Sequence, residues 1–338
     1  MADEEIAVKE ARVSNLRDAA RRVLRQENAV LIIVLGALIG GMGGVTKGLT
    51  IAPSNMMNVL LQSSIRGVAA VGQAFVILSA GIDVSVGGVA LMCSVLGASM
   101  MTKAPWLSTV GYPMSPYLVI PVMLLVGTGW GVINGSLVAR IGVPALIVTL
   151  GIWEVTKGVS FMICRGASVG EQPLNLAFFG SGHIAGVPTP VITFVVVGVI
   201  GYFVLHYTVF GRSVYAVGGN PASAWLSGIN VKRIQFMVFV ISGFLAALAG
   251  VIMTARIMSA SMVMLSGLEI DSIAAVTIGG VSLAGGRGTL IGPVIGSLII
   301  GVINNGMSVL GAGPSVQGIV KGVIIIGAVT ADCIRRRR

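Results

Sequence analysis

The sequence predicts an all-α membrane protein of about ten transmembrane helices, and three observations carry the prediction. Hydrophobic residues make up 55% of the 338 and charged residues only 10%, whereas soluble domains carry about 25% charged residues. Too few charges remain to cover a water-facing surface. Uncharged runs at Asn28–Thr46, Val84–Thr102, Ala104–Ala139, Pro188–Gly211, Ile234–Ala255 and Gly288–Val320 approach or exceed the ~20 residues that cross a ~30 Å hydrocarbon core. Glycine, at 48 residues, is about twice as frequent as usual, and with alanine and serine it supplies the small surfaces by which helices approach closely in lipid. A mean hydropathy of +0.96 fits the same class. A soluble enzyme is excluded. The long continuous runs, with no ten-residue alternation, also exclude a transmembrane β-barrel.

The elements follow in order. Residues 1–27 are polar and charged, with Val13, Leu16, Ala20 and Leu24 at helical spacing, which predicts an amphipathic helix lying on membrane lipid. Acidic residues and the lack of an A-x-A site after the first apolar run predict that it is retained rather than cleaved. Spans are expected at 28–46, 59–80, 86–103, 117–139, 143–165, 188–208, 234–255, 270–284, 289–311 and 314–334. Pro105, Gly111, Pro113 and Pro116 divide one long uncharged stretch, and Gly311, Gly313 and Pro314 divide another. A four-arginine tail, 335–338, closes the chain.

Charge sets the expected orientation. With the N-terminus inside, the inner segments hold six basic residues before the first span, then Arg140, Arg212, Lys232, Arg233 and Arg287, then the tail; the outer segments hold Lys47, Arg66, Lys103, Arg165 and Arg256. That excess predicts N-in, C-in topology and an even number of spans. The net charge of +10 therefore sits where topology and anionic headgroups use it, and nucleic acid is not an expected partner. Gly131-Val-Ile-Asn134 in the fourth span recurs as Gly301-Val-Ile-Asn304 in the ninth, and Pro144 and Pro314 open the fifth and tenth spans at the same offset. Spans four and nine run in opposite directions, so this reads as an inverted repeat, a common transporter plan.

Catalytic motifs are nearly absent. The nearest approach to a Walker A loop, Gly43–Lys47, has the wrong spacing, so any ATP that drives this protein binds another chain. Gly166-Ala-Ser-Val-Gly170 matches G-x-S-x-G but lacks the following α/β pattern. His183 and His206 are the only histidines and lie far apart, and Cys93, Cys164 and Cys333 have no metal spacing; buried reduced thiols are expected. No catalytic residue, metal or bound cofactor is expected.

Intramembrane ionisable residues are more informative, because each is costly in lipid. Glu154 and Lys157 stand three residues apart in the fifth span and could pair on one helix face, either locking helices together or lining a polar path. Lys321 lies in the last span. Asp83 and the Glu269/Asp271 pair fall at span ends, where access to water is expected. Gly81–Gly87 breaks the chain between spans two and three, with Asp83 and Ser85 able to cap the next helix. The largest internal loop, about 211–233, holds Gly218-Gly-Asn-Pro-Ala-Ser-Ala-Trp-Leu-Ser-Gly228. Asn220 fits an N-cap, Pro221 the first helical position and Gly228 the end of a short helix. Trp225 on such a helix suggests a docking knob.

At these residues the sequence resembles the permease subunit of bacterial, binding-protein-dependent ABC importers for monosaccharides, of the ribose/arabinose/xylose type. The segments that carry the resemblance are Gly72–Val89, Gly131–Gly151, Gly211–Val231, Ala274–Met307 and Val320–Val329, in the family's order. The resemblance implies a type II importer-like subunit in the bacterial inner membrane that works with a second permease copy. It further implies a periplasmic sugar-binding protein and a cytoplasmic ATPase that holds the ATP and magnesium. Gly219, Asn220, Ala224, Ser227 and Gly228 resemble the family's coupling helix, with Trp225 standing where a basic residue is common. Lys157-Gly158 and Lys321-Gly322 match family positions, and Glu154 has no counterpart. Alternatives are the same machine carrying nucleosides or branched-chain amino acids, or an ion-coupled secondary transporter using Glu154 and Lys157. Asn134 and Asn304, with Asp83, Glu154, Lys157 and Lys321, are the candidates for lining the pathway or locking its helices.

Overall fold

The computed structural model describes residues 27–336, so the helix expected over 1–27 and the last two arginines of the tail lie outside the described residues. Thirteen α-helices follow in chain order: α1 Glu27–Val45, α2 Pro53–Leu78, α3 Ser85–Met101, α4 Pro116–Ser136, α5 Ala145–Cys164, α6 Ala177–Ser181, α7 Thr189–Tyr207, α8 Val209–Gly219, α9 Pro221–Leu226, α10 Val231–Ile257, α11 Leu268–Ile278, α12 Ile291–Val309 and α13 Pro314–Arg336. A π-helical turn, Leu137–Ile141, extends α4. A two-stranded antiparallel ribbon, β1 His183–Ile184 with β2 Val187–Pro188, lies between α6 and α7.

Prolines mark the helix starts. Pro53, Pro116, Pro221 and Pro314 each stand at the first helical position, where the missing N–H is no loss and the fixed φ already suits the helix. The two longest helices, α2 and α10, pack on each other at the centre. The packing around them is reciprocal: α4 and α3 lie on α10, while α12 and α11 lie on α2. Glycine permits this closeness. A Cβ on Gly131 would collide with the Phe239 carbonyl of α10, and one on Gly301 with the Ser63 hydroxyl of α2. The repeated Gly-Val-Ile-Asn segments thus seat the two outer helices on the two central ones.

Among the described residues, seven helices are long and apolar enough to cross a membrane: α1, α2, α4 with its π turn, α5, α7, α10 and α12. Helix α3 and the apolar Pro314–Thr330 part of α13 are shorter. The eighth expected span, 270–284, is not a full-length helix. Only 11 residues are helical there, about 16 Å of rise. Gly279 nests against the backbone of Gly292, and positive φ at Gly280, Gly285, Gly286 and Gly288 turns the chain back toward α12.

The two ends of the bundle differ. At one, the α9 end, Gly286 N–H donates to the Leu78 carbonyl (2.9 Å) and the Tyr215 hydroxyl to the Gly288 carbonyl (3.0 Å). Burial pushes the Tyr215 hydroxyl above its ordinary pKa. At the far end, Val169 and Ala260 pair their backbones and Thr102 donates to Gly170. The G-x-S-x-G match lies in this far-end turn, where Ser168 meets the Ala260 carbonyl. Cys93 and Cys164 are buried as expected, but Cys333 is exposed on α13.

Candidate functional site

The short helix of the 211–233 loop forms as its residues dictate. The Asn220 side chain accepts from Ser223 N–H (3.0 Å), satisfying an amide that the first turn leaves free. Gly228, at φ +82°, closes the other end, with its N–H donating to the Trp225 carbonyl (2.9 Å) and that of Ile229 to the Ala224 carbonyl (3.0 Å). Ser227 ties back to the Ser223 carbonyl. Ala224 is buried, while Trp225 is 68% and Leu226 78% exposed. A cleft of about 830 Å³ separates α9 from the Gly142 turn and the start of α10.

From α9 a backbone joint leads into the membrane part. Gly218 ends α8 against the Leu78 carbonyl, where a Cβ would collide, and Gly286 abuts Gly219 in the same way. Three segments therefore meet backbone to backbone: the end of α8, the end of α2 with its Ser79–Val84 exit, and the Gly279–Gly288 turn. No side chains lie between them at these contacts to take up a shift of one against the others.

The α2 exit carries Asp83. Contrary to the expected access to water, Asp83 is 1% exposed. Its carboxylate accepts from Ser85 N–H (3.0 Å), the Ser85 hydroxyl and the Ser242 hydroxyl (2.7 Å), and Asn134 donates to Ser85 (2.8 Å). Gln73, with its amide oriented to suit both partners, donates to the Asp83 carbonyl (2.9 Å) and accepts from its N–H (3.2 Å). Ser242 lies near the middle of α10, so α3 begins inside the bundle and not at its surface. Asp83→Leu is expected to leave three donors unpaired and cost about 2–5 kcal/mol. The melting temperature of the detergent-solubilised chain should fall well below that of Asp83→Asn, and equal melting of the two variants would contradict the network.

A second carboxylate cluster faces the first. Glu269 and Asp271 open α11 and are 7% and 4% exposed, again buried where access to water was expected. A Cβ on Gly87, in the first turn of α3, would strike the Glu269 carboxylate, so the N-terminal ends of two short helices meet within the bundle. Their partial positive charges favour carboxylates there. The approaches match residue for residue: Gly81-Ile-Asp83-Val-Ser85 and Gly267-Leu-Glu269-Ile-Asp271. The repeat is visible in the sequence alone, as Gly followed two residues later by an acidic residue and then by a second polar side chain two residues on.

Asp271 also joins three helices. Arg66 Nε of α2 donates to its Oδ2 (2.8 Å), and Lys321 Nζ of α13 lies 2.9 Å from its Oδ1. Lys321 is thus a partner in a half-buried triad centred on the buried Asp271. A cavity of about 330 Å³ opens beside it, and Gln62, Arg66, Arg256, Ser266 and Asp271 bring polar atoms to it. That volume lies at the low end of small-molecule pockets, about 300–1,000 Å³, and Ile65, Met253, Ile257, Met264, Leu265 and Leu268 complete its walls.

The expected Glu154–Lys157 pair does not form. Lys157 Nζ sits instead over the Trp153 ring, 4.6 Å from its centroid, and both charged residues are exposed near the middle of α5. Asn134 and Asn304 are both buried but share no partner: Asn134 joins the Asp83 network, whereas the Asn304 amide has no hydrogen-bond partner among the described residues. Its neighbour Asn305 exchanges hydrogen bonds with Asn55. No group of three His, Cys, Asp or Glu residues able to hold a metal occurs among the described residues.

Comparison with known proteins finds relatives along most of the chain. The chain is 38% identical over 316 residues to the ribose import permease protein RbsC of Haemophilus influenzae, covering 92% of this chain and 94% of the relative. It is 40% identical over 282 residues to RbsC of Bacillus subtilis, covering 83% and 85%, and 36% identical over 312 residues to the fructose import permease protein FrcC of Rhizobium meliloti, covering 90% and 84%. No solved structure matches. Residues 55–329 match the model of the branched-chain amino acid transport system / permease component family, and the chain belongs to that family.

Proposed function

We propose that this chain is the membrane-spanning permease subunit of an ATP-driven importer for a monosaccharide delivered by a periplasmic binding protein. The observation that carries the reading is the continuous backbone path from an exposed, capped helix through Gly218 and Leu78 to the buried Asp83. A channel or a self-contained transporter has no use for such a lever. The names of the relatives supply the cargo class: ribose and fructose for those above, and D-allose for a permease of Escherichia coli at 36% identity.

In this reading the chain sits in the bacterial inner membrane with α9 in the cytoplasm, crosses about ten times and carries two inverted halves, α2–α5 and α10–α13. The reciprocal packing on α2 and α10 supports the halves. The cluster of Arg140, Arg212, Lys232, Arg233 and Arg287 at the α9 end supports the orientation. ATP and magnesium stay on a separate ATPase, against which Trp225 and Leu226 seat. Displacement of α9 moves the joint as a rigid body, shifts the starts of α3 and α11, and alternates the side to which the polar centre opens. Glu154 and Lys157, too costly to leave facing lipid, place the exposed face of α5 against a second permease copy or the pathway between the copies.

Trp225→Ala is expected to leave melting temperature unchanged, since the ring is exposed, and to weaken ATPase retention on a tagged chain by tenfold or more, as loss of an interface anchor does at about 2 kcal/mol. Full retention would contradict the docking role. The reading as a whole is tested in proteoliposomes holding the chain, its ATPase and its binding protein. ATP-dependent uptake of labelled ribose, allose or fructose supports it. Leucine uptake in preference to sugars would move the cargo to the class the family's description names, and uptake driven by an ion gradient without ATP would overturn the reading.

A further inference from the structure

A cluster of cations at the α9 end is not used by this mechanism. The π turn after α4 swings Arg140 out beside the start of α10, where its guanidinium lies 5.3 Å from the Phe236 ring centroid. Asn230 caps α10, its side chain accepting from Arg233 N–H (3.0 Å), and Lys232 and Arg233 stand in the first turn that follows, on the cavity that Arg140 also lines. The three cations border one cavity of about 430 Å³ whose other walls are Asn230, Phe236 and Met237. No carboxylate lines it. Three exposed cations gathered without a counter-ion repel one another, and the cavity therefore favours an anion.

The surroundings say which anion. Met237 and Phe244 continue from Arg233 along one face of α10 and are 38% and 40% exposed, while Leu125, Val132 and Ile133 form an exposed face on α4. Between these faces the two helices are in backbone contact through Gly131, Gly135 and Gly243, so the surface is a shallow apolar furrow headed by positive charge. An acidic protein surface would neutralise the cations and leave the furrow bare. Only a molecule with an anionic head and long apolar tails covers both.

We infer that this cavity binds the phosphate of an anionic phospholipid, with the acyl chains lying along α4 and α10. Basic pockets between transmembrane helices on the cytoplasmic side bind such headgroups through charge and hydrogen bonds that a zwitterionic lipid cannot match. Independently of the cargo, the inference makes the annular lipid a bound part of the subunit.

The test is native mass spectrometry of the full chain, purified in detergent and supplied with phosphatidylglycerol or phosphatidylcholine of equal chain length. The wild-type chain is expected to retain phosphatidylglycerol adducts preferentially, and the Arg140→Gln/Arg233→Gln variant to retain them about thirtyfold less strongly. Arg212→Gln/Arg287→Gln, which removes two cations from the same end but outside the cavity, is expected to keep them. Equal retention of the two lipids by the wild-type chain overturns the inference even if the variant fails to fold. It is also overturned if the Arg140/Arg233 variant keeps its preference, or if it loses only a co-purifying protein while the lipid adduct persists.

Discussion

Asp271→Ala is expected to destabilise the chain by about 3–5 kcal/mol. The carboxylate is the shared anion for Arg66 and Lys321, and its loss leaves two cations facing each other, their side chains only 23% and 19% exposed. Arg256, lining the same cavity, adds a third. Partial exposure of the cations relieves some of the penalty, which favours the lower half of the range. The measurement is the melting temperature of the chain in detergent, with a double variant, Asp271→Asn/Lys321→Gln, that removes one cation with the anion. Coupled residues are non-additive, so the double variant should melt above Asp271→Ala. If both melt like the wild-type chain, the triad contributes nothing to holding α11 between α2 and α13, and the cavity beside it loses its rigid wall.

The contrast between that triad and the pair it displaced shows what a sequence of this kind discloses. Glu154 and Lys157 satisfy the local rule for helix-face pairing, yet Lys157 turns to Trp153. Lys321 has no acidic neighbour within reach along its helix and is paired all the same, 50 residues from Asp271 in sequence. Periodicity sees three or four residues; the partner of a buried charge is chosen by which helices touch. Local chemistry, by contrast, was fully legible. The Asn220 cap, Pro221 at the first position and Gly228 at positive φ each rest on the backbone of their own turn, and no tertiary contact overrules them. The shortness of α11 lay between these cases. A largely apolar window over 270–284, charged only at Asp271, reads as a full-length helical span, and the signal against it was the run of glycines from Gly279 to Gly288, which a chain with 48 glycines makes easy to discount. Asp83 and Glu269 were misplaced for a related reason. A polar break in an apolar run looks like a loop at the surface, whereas here the breaks are the starts of two helices that begin inside. The matching Gly81–Ser85 and Gly267–Asp271 patterns mark both.

The joint at Gly218 yields the sharpest separation between folding and coupling. Gly218→Ala is expected to force the end of α8 away from α2, because its Cβ has no room before the Leu78 carbonyl oxygen, and backbone on both sides leaves nothing flexible to give way. Overpacking of this kind costs about 1–3 kcal/mol. Gly219→Ala is the built-in control: a Cβ there meets nothing within 4 Å, so the melting temperature of the isolated chain should match or slightly exceed the wild-type value. The difference between neighbours one residue apart isolates the contact from helix propensity, which alanine improves at both. In the assembled importer, Gly218→Ala is expected to retain ATPase binding through α9, whose own turn is untouched, and to hydrolyse ATP with sugar uptake reduced tenfold or more, since the displacement no longer reaches Ser79–Val84 in register. Equal uptake by Gly218→Ala and wild-type protein would show that α8 and α2 move independently. The path from Trp225 to Asp83 would then have to run through α10, the other helix that α9 adjoins and the one that bears Ser242.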